Sequence, residues 1–285
     1  MTELHVALSF DDGFWAPAYA VMRSICLASH HRGDLVFHLF EDALEPAHRA
    51  ELDSIATEFP ARLVHVDLGA NARFAELTAA LPVARPFSRV IYARLMLDAL
   101  LPPDVERLVY LDCDTLVLAP IEQLIETDLG GKSIGAVSDP YRHMHMLGRD
   151  LRANADVFDF TTPYFNSGVL LIDRAAFARA DVPSRTRDLA QKGLLQRLQY
   201  DQAALNLIFA DDWLALDPRW NFIAPLAAHE ALEPFVLHYA GPRKPWGLLP
   251  GAAHRRLYRH VMTNRLFYPF RRAQMWRALR SVGRR

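Results

Sequence analysis

The sequence predicts an α/β fold in which a mostly parallel central sheet is flanked by helices and followed by a basic helical C-terminal tail. Short apolar runs rich in Val, Leu and Phe alternate with longer amphipathic stretches. That is the pattern of strand–helix–strand units whose sheet is covered on both faces. The 285 residues are 51% hydrophobic, enough for a sizeable buried core. Two of the apolar runs also end in carboxylates, Asp11-Asp12 and Asp112-Cys113-Asp114, at the strand ends where open α/β sheets bind ligands.

Taken in order, Leu4 to Phe10 reads as the first strand, closing on Asp11-Asp12-Gly13. Ala16 to His31 reads as a helix, with Val21, Ser24, Ile25 and Ala28 at helical spacing and Pro17 in the first turn. Leu35 to Phe40 and Arg62 to Val66 are further strands, separated by a helical stretch after Pro46. Ser88 to Leu101 reads as a helix leading into the strand Arg107 to Leu111, and strands follow at Ser133 to Val137 and Gly168 to Ile172. Between these last two, Tyr141 to Thr162 is polar, charged and rich in His and Met, as a surface loop is. Gln202 to Phe209 reads as a helix. There is no internal repeat and no low-complexity linker, so the economical division is one compact domain over 1–251 and a tail over 252–285.

A net charge of −1 removes any whole-chain argument for nucleic-acid binding. The charge is unevenly spread, however, because no acidic residue follows Glu233 while Arg255, Arg259, Arg265, Arg271, Arg277 and others crowd the tail. Arginines interleaved with Tyr258, Phe267 and Trp276 suit the surface of an anionic bilayer. A helix packed on the domain or a nucleic-acid arm are the alternatives. Cys26 and Cys113 both lie in apolar patterns, so no disulfide framework is expected and a reducing cytoplasm is the default. The N-terminus has neither a basic n-region nor a long apolar stretch, which points to a cytoplasmic protein, at most peripheral on the inner face of the cytoplasmic membrane.

The chemistry concentrates at Asp112 and Asp114. Alternate residues of a strand share a face, so both carboxylates can point one way while Cys113 packs behind them. Two like charges that close call for a cation between them. Manganese or magnesium held by carboxylates and substrate phosphates meets that need. The simpler alternative, a strand end followed by an aspartate turn, stays open on these residues alone.

Seven segments in order resemble glycosyltransferase family 8, most closely the bacterial α-galactosyl- and α-glucosyltransferases that build the lipopolysaccharide outer core. They are Asp11-Asp12, Tyr92 to Leu95, Tyr110 to Asp114, Tyr164 to Val169, Tyr200-Asp201-Gln202, Asp217 to Asn221 and His238 to Trp246. The resemblance implies a GT-A nucleotide-sugar transferase fold, a bound Mn²⁺, a UDP-galactose or UDP-glucose donor, a saccharide acceptor that can be lipid-linked, and retention of anomeric configuration. By the same resemblance Asp112, Asp114 and His238 are the metal ligands. Imidazole beside carboxylate favours manganese over magnesium. Gly241 and Lys244 would meet the diphosphate, and Asp11 the nucleotide end. Gly13 stands where relatives often carry Asn, so a side-chain contact there is expected to be missing or replaced by backbone. Arg94, Asn166, Asp201 and Gln202 would surround the donor sugar, with Arg94 pairing to Asp98 and Asn166 or Asp201 acting only as caps as the structural alternatives.

Retention without an obvious nucleophile, since Ala203 follows Gln202 where relatives can carry Asp, implies front-face attack with the departing phosphate as base. Residues Asp139 to Thr162 and Ala224 to Glu233 are expected to cover the donor and build the acceptor cleft. A catalytically inactive nucleotide-sugar-binding module and a DxD-type phosphohydrolase are the competing functions. The hydrolase would need its nucleophilic aspartate after the first strand.

Overall fold

A computed structural model describes residues 3–82, 88–140, 156–157, 162–198, 200–247 and 251–282. Its centre is a seven-stranded sheet of order β3-β2-β1-β4-β7-β6-β8. These strands are β1 (Leu4–Asp11), β2 (Leu35–Asp42), β3 (Arg62–Asp67), β4 (Arg107–Leu111), β6 (Ile134–Ser138), β7 (Phe165–Asp173) and β8 (Trp213–Ala215). The pairs β1–β2, β1–β4, β2–β3 and β6–β8 are parallel, and β7 alone runs against its neighbours β4 and β6.

The sheet is buried on both faces because its strands alternate between two cores. Leu4, Val6, Leu8 and Phe10 of β1 pack with α1 (Trp15–Ala28) and α2 (Pro46–Glu58). Ala7 faces the other core, built from α3 (Ala72–Ala79), the segment Arg89–Met96 and the helix Tyr200–Ile208. In β4, Val109 and Leu111 enter the first core while Leu108 and Tyr110 enter the second. Cys113 continues that alternation into the first core, leaving Asp112 and Asp114 at the rim. Cys26 and Cys113 are both free and buried.

Chain reversal between β1 and β4 opens a crevice at their C-terminal ends, the switch point where such sheets take ligands. The antiparallel run of β7 adds to it, because Asn166, Ser167 and Gly168 then lie at the same edge, with the Asp112 amide donating to the Gly168 carbonyl at 2.8 Å. Nearby, the β6–β7 register slips between Ala136 and Val137, whose partners on β7 jump from Leu170 to Asn166, leaving the extra residues on β7 at this edge. A second, three-stranded sheet stands over this edge, with β10 (Val236–His238) between β5 (Thr115–Val117) and β9 (Phe222–Ile223). Since β5 begins directly after the acidic triplet, pairing His238 with Thr115 returns the histidine to the carboxylates.

The segment read from the sequence as a helix over Ser88 to Leu101 is instead a 3₁₀ stretch, Arg89–Met96, followed by one α-turn at Leu97–Leu100. Val90 and Tyr92 to Leu97 are all buried, so no solvent face imposes the α-helical period. The C-terminal segment, Arg255–Val282, is two helices joined at a kink at Thr263 and is not free: Tyr258, Val261, Met262, Leu266, Phe267 and Phe270 join the core on the α1 side. Beyond them Met275, Trp276 and Leu279 are exposed. No helix among the described residues is long and apolar enough to cross a membrane. Most of the loop expected to cover the donor, 141–155 and 158–161, lies outside the described residues.

Candidate active site

Asp112, Asp114 and His238 each offer one ligand atom, and these atoms all lie within 4.8 Å of one another. His238 Nε2 is 3.3 Å from Asp114 Oδ1 and 3.8 Å from Asp112 Oδ2. The histidine side chain is 5% exposed and the carboxylates 15% and 24%, so the cluster is walled behind and open toward the cleft. Its donor set suits a divalent ion that accepts oxygen and nitrogen together. The backbone leaves room for one: a Cβ on Gly168 would fall 2.3 Å from His238 Cε1 and 2.7 Å from Asp112 Oδ2.

Each ligand is oriented from behind. His238 Nδ1 meets Asn221 Oδ1 at 2.9 Å, and Asn221 Nδ2 donates to Asn166 Oδ1 at 2.9 Å. That chain assigns the proton to Nδ1 and leaves the Nε2 lone pair facing the carboxylates. Asp112 Oδ1 accepts from Arg94 at 2.6 Å, while Arg94 Nε meets Asp201 at 2.9 Å and its other nitrogen donates to the Ser167 carbonyl and hydroxyl. The guanidinium also lies 4.7 Å over the Tyr110 ring. Burial works against the Arg94 charge, but Asp112, Tyr110 and Asp201 outweigh it and raise its pKa further. Asp98 is not its partner, contrary to the simpler sequence alternative; Asp98 lies on the next turn and Arg94 turns inward to the sheet edge.

Lys244 donates to Asp114 and to the Tyr239 carbonyl. Burial penalises the Asp114 charge, yet the Lys244 ammonium, joined by the His238 ring when that ring is protonated, holds its carboxyl well below the usual range. Burial pushes the Asp201 carboxyl up, Arg94 draws it down and Asp112 adds to the rise. Gly241, with φ +81°, makes the turn that returns Lys244 to the site, a conformation side-chain-bearing residues rarely adopt.

Gln202 is fixed on three sides: its Oε1 accepts from Asn166 Nδ2 and the Ser167 amide at 3.1 Å each, and its Nε2 donates to Asp139 at 3.0 Å. Asn166 lies within β7, where its Oδ1 also accepts from the Gly168 amide at 2.9 Å, and Asp201 lies in the first turn of the helix Tyr200–Ile208. Asp11 accepts from the Gly13 amide at 2.9 Å, and Asp12 accepts from the Glu45 amide and His48. Tyr92 is fully buried.

These side chains line one cleft of about 590 Å³, with Asp11 and Phe14 at one end and Arg94, Asp201 and Gln202 at the other. All the site residues read from the sequence therefore converge on it, except that Asn166, Gly13 and His238 stand just behind its wall. A second cleft of about 800 Å³ opens beside Asp139, with Tyr164, Pro218, Phe222 and His229 in its lining. Sequence reasoning gave no role to Asn221, Gly168, Ser167 or Tyr110. All four stand inside segments that carried the family resemblance, and that was the available signal.

Comparison with known proteins agrees with this arrangement. Residues 5–248 match the model of glycosyl transferase family 8. General stress protein A of Bacillus subtilis is 23% identical over 91% of this chain and 93% of its own length. The lipopolysaccharide glucosyltransferase WaaO of Escherichia coli is 26% identical over 74% of the chain, which spans 63% of WaaO. Among solved structures, the galactosyltransferase LgtC in complex with donor and acceptor sugar analogs superposes with a TM-score of 0.74 at 24% identity, over 91% of this chain and 95% of that one. The fold is thus of the GT-A type.

Proposed function

The chain belongs to glycosyl transferase family 8, and from that premise we propose that it is a retaining hexosyltransferase. It moves galactose or glucose from a UDP-sugar to a saccharide acceptor in lipopolysaccharide or other cell-surface glycan synthesis, with Mn²⁺ bound by Asp112, Asp114 and His238. The convergence of those three groups within 4.8 Å carries the reading. When bound, the ion supplies positive charge to the diphosphate oxygens as the glycosidic bond breaks.

The chain's own residues supply the rest. Lys244, on the Gly241 turn, brings a compact ammonium charge for the leaving diphosphate. Arg94 keeps Asp112 and Asp201 in fixed orientation by satisfying both with one planar fork. Gln202 and Asp201 present polar atoms around the donor sugar; Asn166 holds Gln202 from behind and Arg94 holds Asp201, so little reorganisation is needed when charge develops. Asp11 binds the nucleotide end, with its carboxylate held by the Gly13 amide. The second cleft, walled in part by Phe222 and His229, receives the acceptor. No carboxylate stands at position 203, where Ala203 is fully buried, which supports attack from the face the leaving group departs from. Peripheral contact with an anionic membrane is supported by exposed Met275, Trp276 and Leu279 among arginines, and makes 252–285 a distinct functional unit although its first half packs in the core.

Thermal melting with Mn²⁺ and UDP, UDP-glucose or UDP-galactose tests the reading. Ligand at 100 times its Kd adds about 2.7 kcal/mol of stability, and that gain is expected only with metal present. Slow donor hydrolysis then reveals the sugar. Absence of any metal-dependent shift with all three nucleotides, or release of inorganic phosphate in place of UDP, overturns it.

A further inference from the structure

The turn that follows β1 is held by the far end of the chain. Gln274 Nε2 donates to the Gly13 carbonyl at 3.1 Å. One turn further along the same helix, Arg277 approaches Asp12 at 4.0 Å, and its Nη1 lies 3.3 Å from the point a Gly13 Cβ would occupy. The guanidinium thus takes the side of the turn into which a side chain at 13 would project. Just before them in the helix, Phe270 packs edge-on against Trp15 and Trp246, and Trp246 in turn meets Phe14.

These contacts bear on the cleft because the turn is the cleft's wall. With its carbonyl taken by Gln274, the Gly13 peptide is fixed, and its amide is aimed at Asp11 Oδ1. That amide bonds the Asp11 carboxylate from within its own turn, and it sets the direction in which the carboxylate faces the cleft. Asp12 is committed elsewhere, since its Oδ1 accepts from Glu45 and His48 while its Oδ2 looks toward Arg277. A three-residue 3₁₀ turn has little rigidity of its own. Its geometry is therefore set by what packs on it.

We infer that Gln274 and Arg277 are positioning residues for nucleotide binding: they hold the Asp11–Phe14 turn in the shape that receives the nucleotide end of the donor. The inference rests on the donor reading above. Neither residue touches the metal cluster, and Arg277 is 55% exposed. Their removal is consequently expected to leave folding, metal affinity and the chemical step alone.

Isothermal titration of UDP in the presence of Mn²⁺ tests this on the full chain, using Gln274→Ala, Arg277→Ala and the double variant. Gln274→Glu is a fourth variant that keeps the length but not the donor. The expected result is a loss of about three- to tenfold in UDP affinity for the double variant. Gln274→Glu should match Gln274→Ala, KM for the donor should rise with kcat unchanged, and Mn²⁺ affinity and Tm should stay at wild-type values. Unchanged UDP affinity in the double variant overturns the inference. So does a loss that moves Tm and Mn²⁺ affinity in proportion, which marks a merely structural role. Wild-type protein that binds neither UDP nor Mn²⁺ removes the proposed function, and this inference with it.

Discussion

Replacing Gly168 by alanine puts one methyl group against His238 and Asp112, two of the proposed ion ligands. Gly168 does not need a left-handed backbone, so alanine meets no conformational barrier and the effect is steric. The new Cβ would lie 2.3 Å from His238 Cε1, 2.8 Å from its Nδ1 and 2.7 Å from Asp112 Oδ2, whereas unstrained carbon contacts are about 3.5–4.0 Å. The ring must therefore retreat by more than about 1 Å. It has nowhere cheap to go: His238 is 4% exposed and tied to Asn221, and Asp112 is tied to Arg94. Overpacking of this kind costs about 1–3 kcal/mol of stability. Disturbing the orientation of a metal-binding imidazole typically lowers affinity about 10–100-fold, equivalent to about 1.4–2.8 kcal/mol. Manganese binding followed by electron paramagnetic resonance, together with UDP-sugar hydrolysis at saturating metal, measures both consequences. A Gly168→Ala protein with wild-type Tm and manganese affinity within twofold of wild type would refute the reasoning.

Further outcomes follow from the neighbouring contacts. Asn221→Ala removes the group that keeps the His238 proton on Nδ1, and should weaken manganese binding about 10–100-fold with a smaller change in Tm, read by the same resonance titration. Arg94→Lys cannot reproduce the fork that joins Asp112, Asp201 and Ser167, leaving buried charge unpaired; a loss of about 3–5 kcal/mol is expected in urea unfolding. His38, buried beside His5 at 3.1 Å, is pushed down to about 4 by burial. The unfolded histidine has the higher pKa, so its contribution to stability is complete above pH 6.5 and lost as pH falls toward 4. The swing is on the order of 3 kcal/mol. His38→Phe should flatten the urea-midpoint profile between pH 7 and 5, and an equally steep profile would contradict the assignment.

What the sequence reveals depends on the range over which a signal acts. β1, β2, β3, β4 and α1 were legible because their apolar patterns are long and their partners are next to them in the sheet. β9 and β10, two and three residues long, leave no alternation to read, and so the small sheet that completes the site went unseen. The 3₁₀ stretch at Arg89–Met96 resembled a helix because local composition does not reveal that nearly all of it is buried. Asp112 and Asp114 announce themselves by spacing, and His238 only by family resemblance. Asn221, which orients that histidine, carries no local mark: its role arises from a contact 17 residues away with His238 and another 55 residues away with Asn166. The Gln274 bond to Gly13 spans 261 residues and is beyond any local reading.

Asp114 and Lys244 meet across 130 residues of chain. Ribosomes work from the N-terminus at about 5–20 residues per second, so the acidic pair emerges on the order of ten seconds before its imidazole and ammonium partners. During synthesis the growing polypeptide holds two bare carboxylates and no complete cage. Products terminated before His238 lack both groups that meet the acidic pair from the far side of the cleft, so the cluster is assembled only once residue 244 has been made.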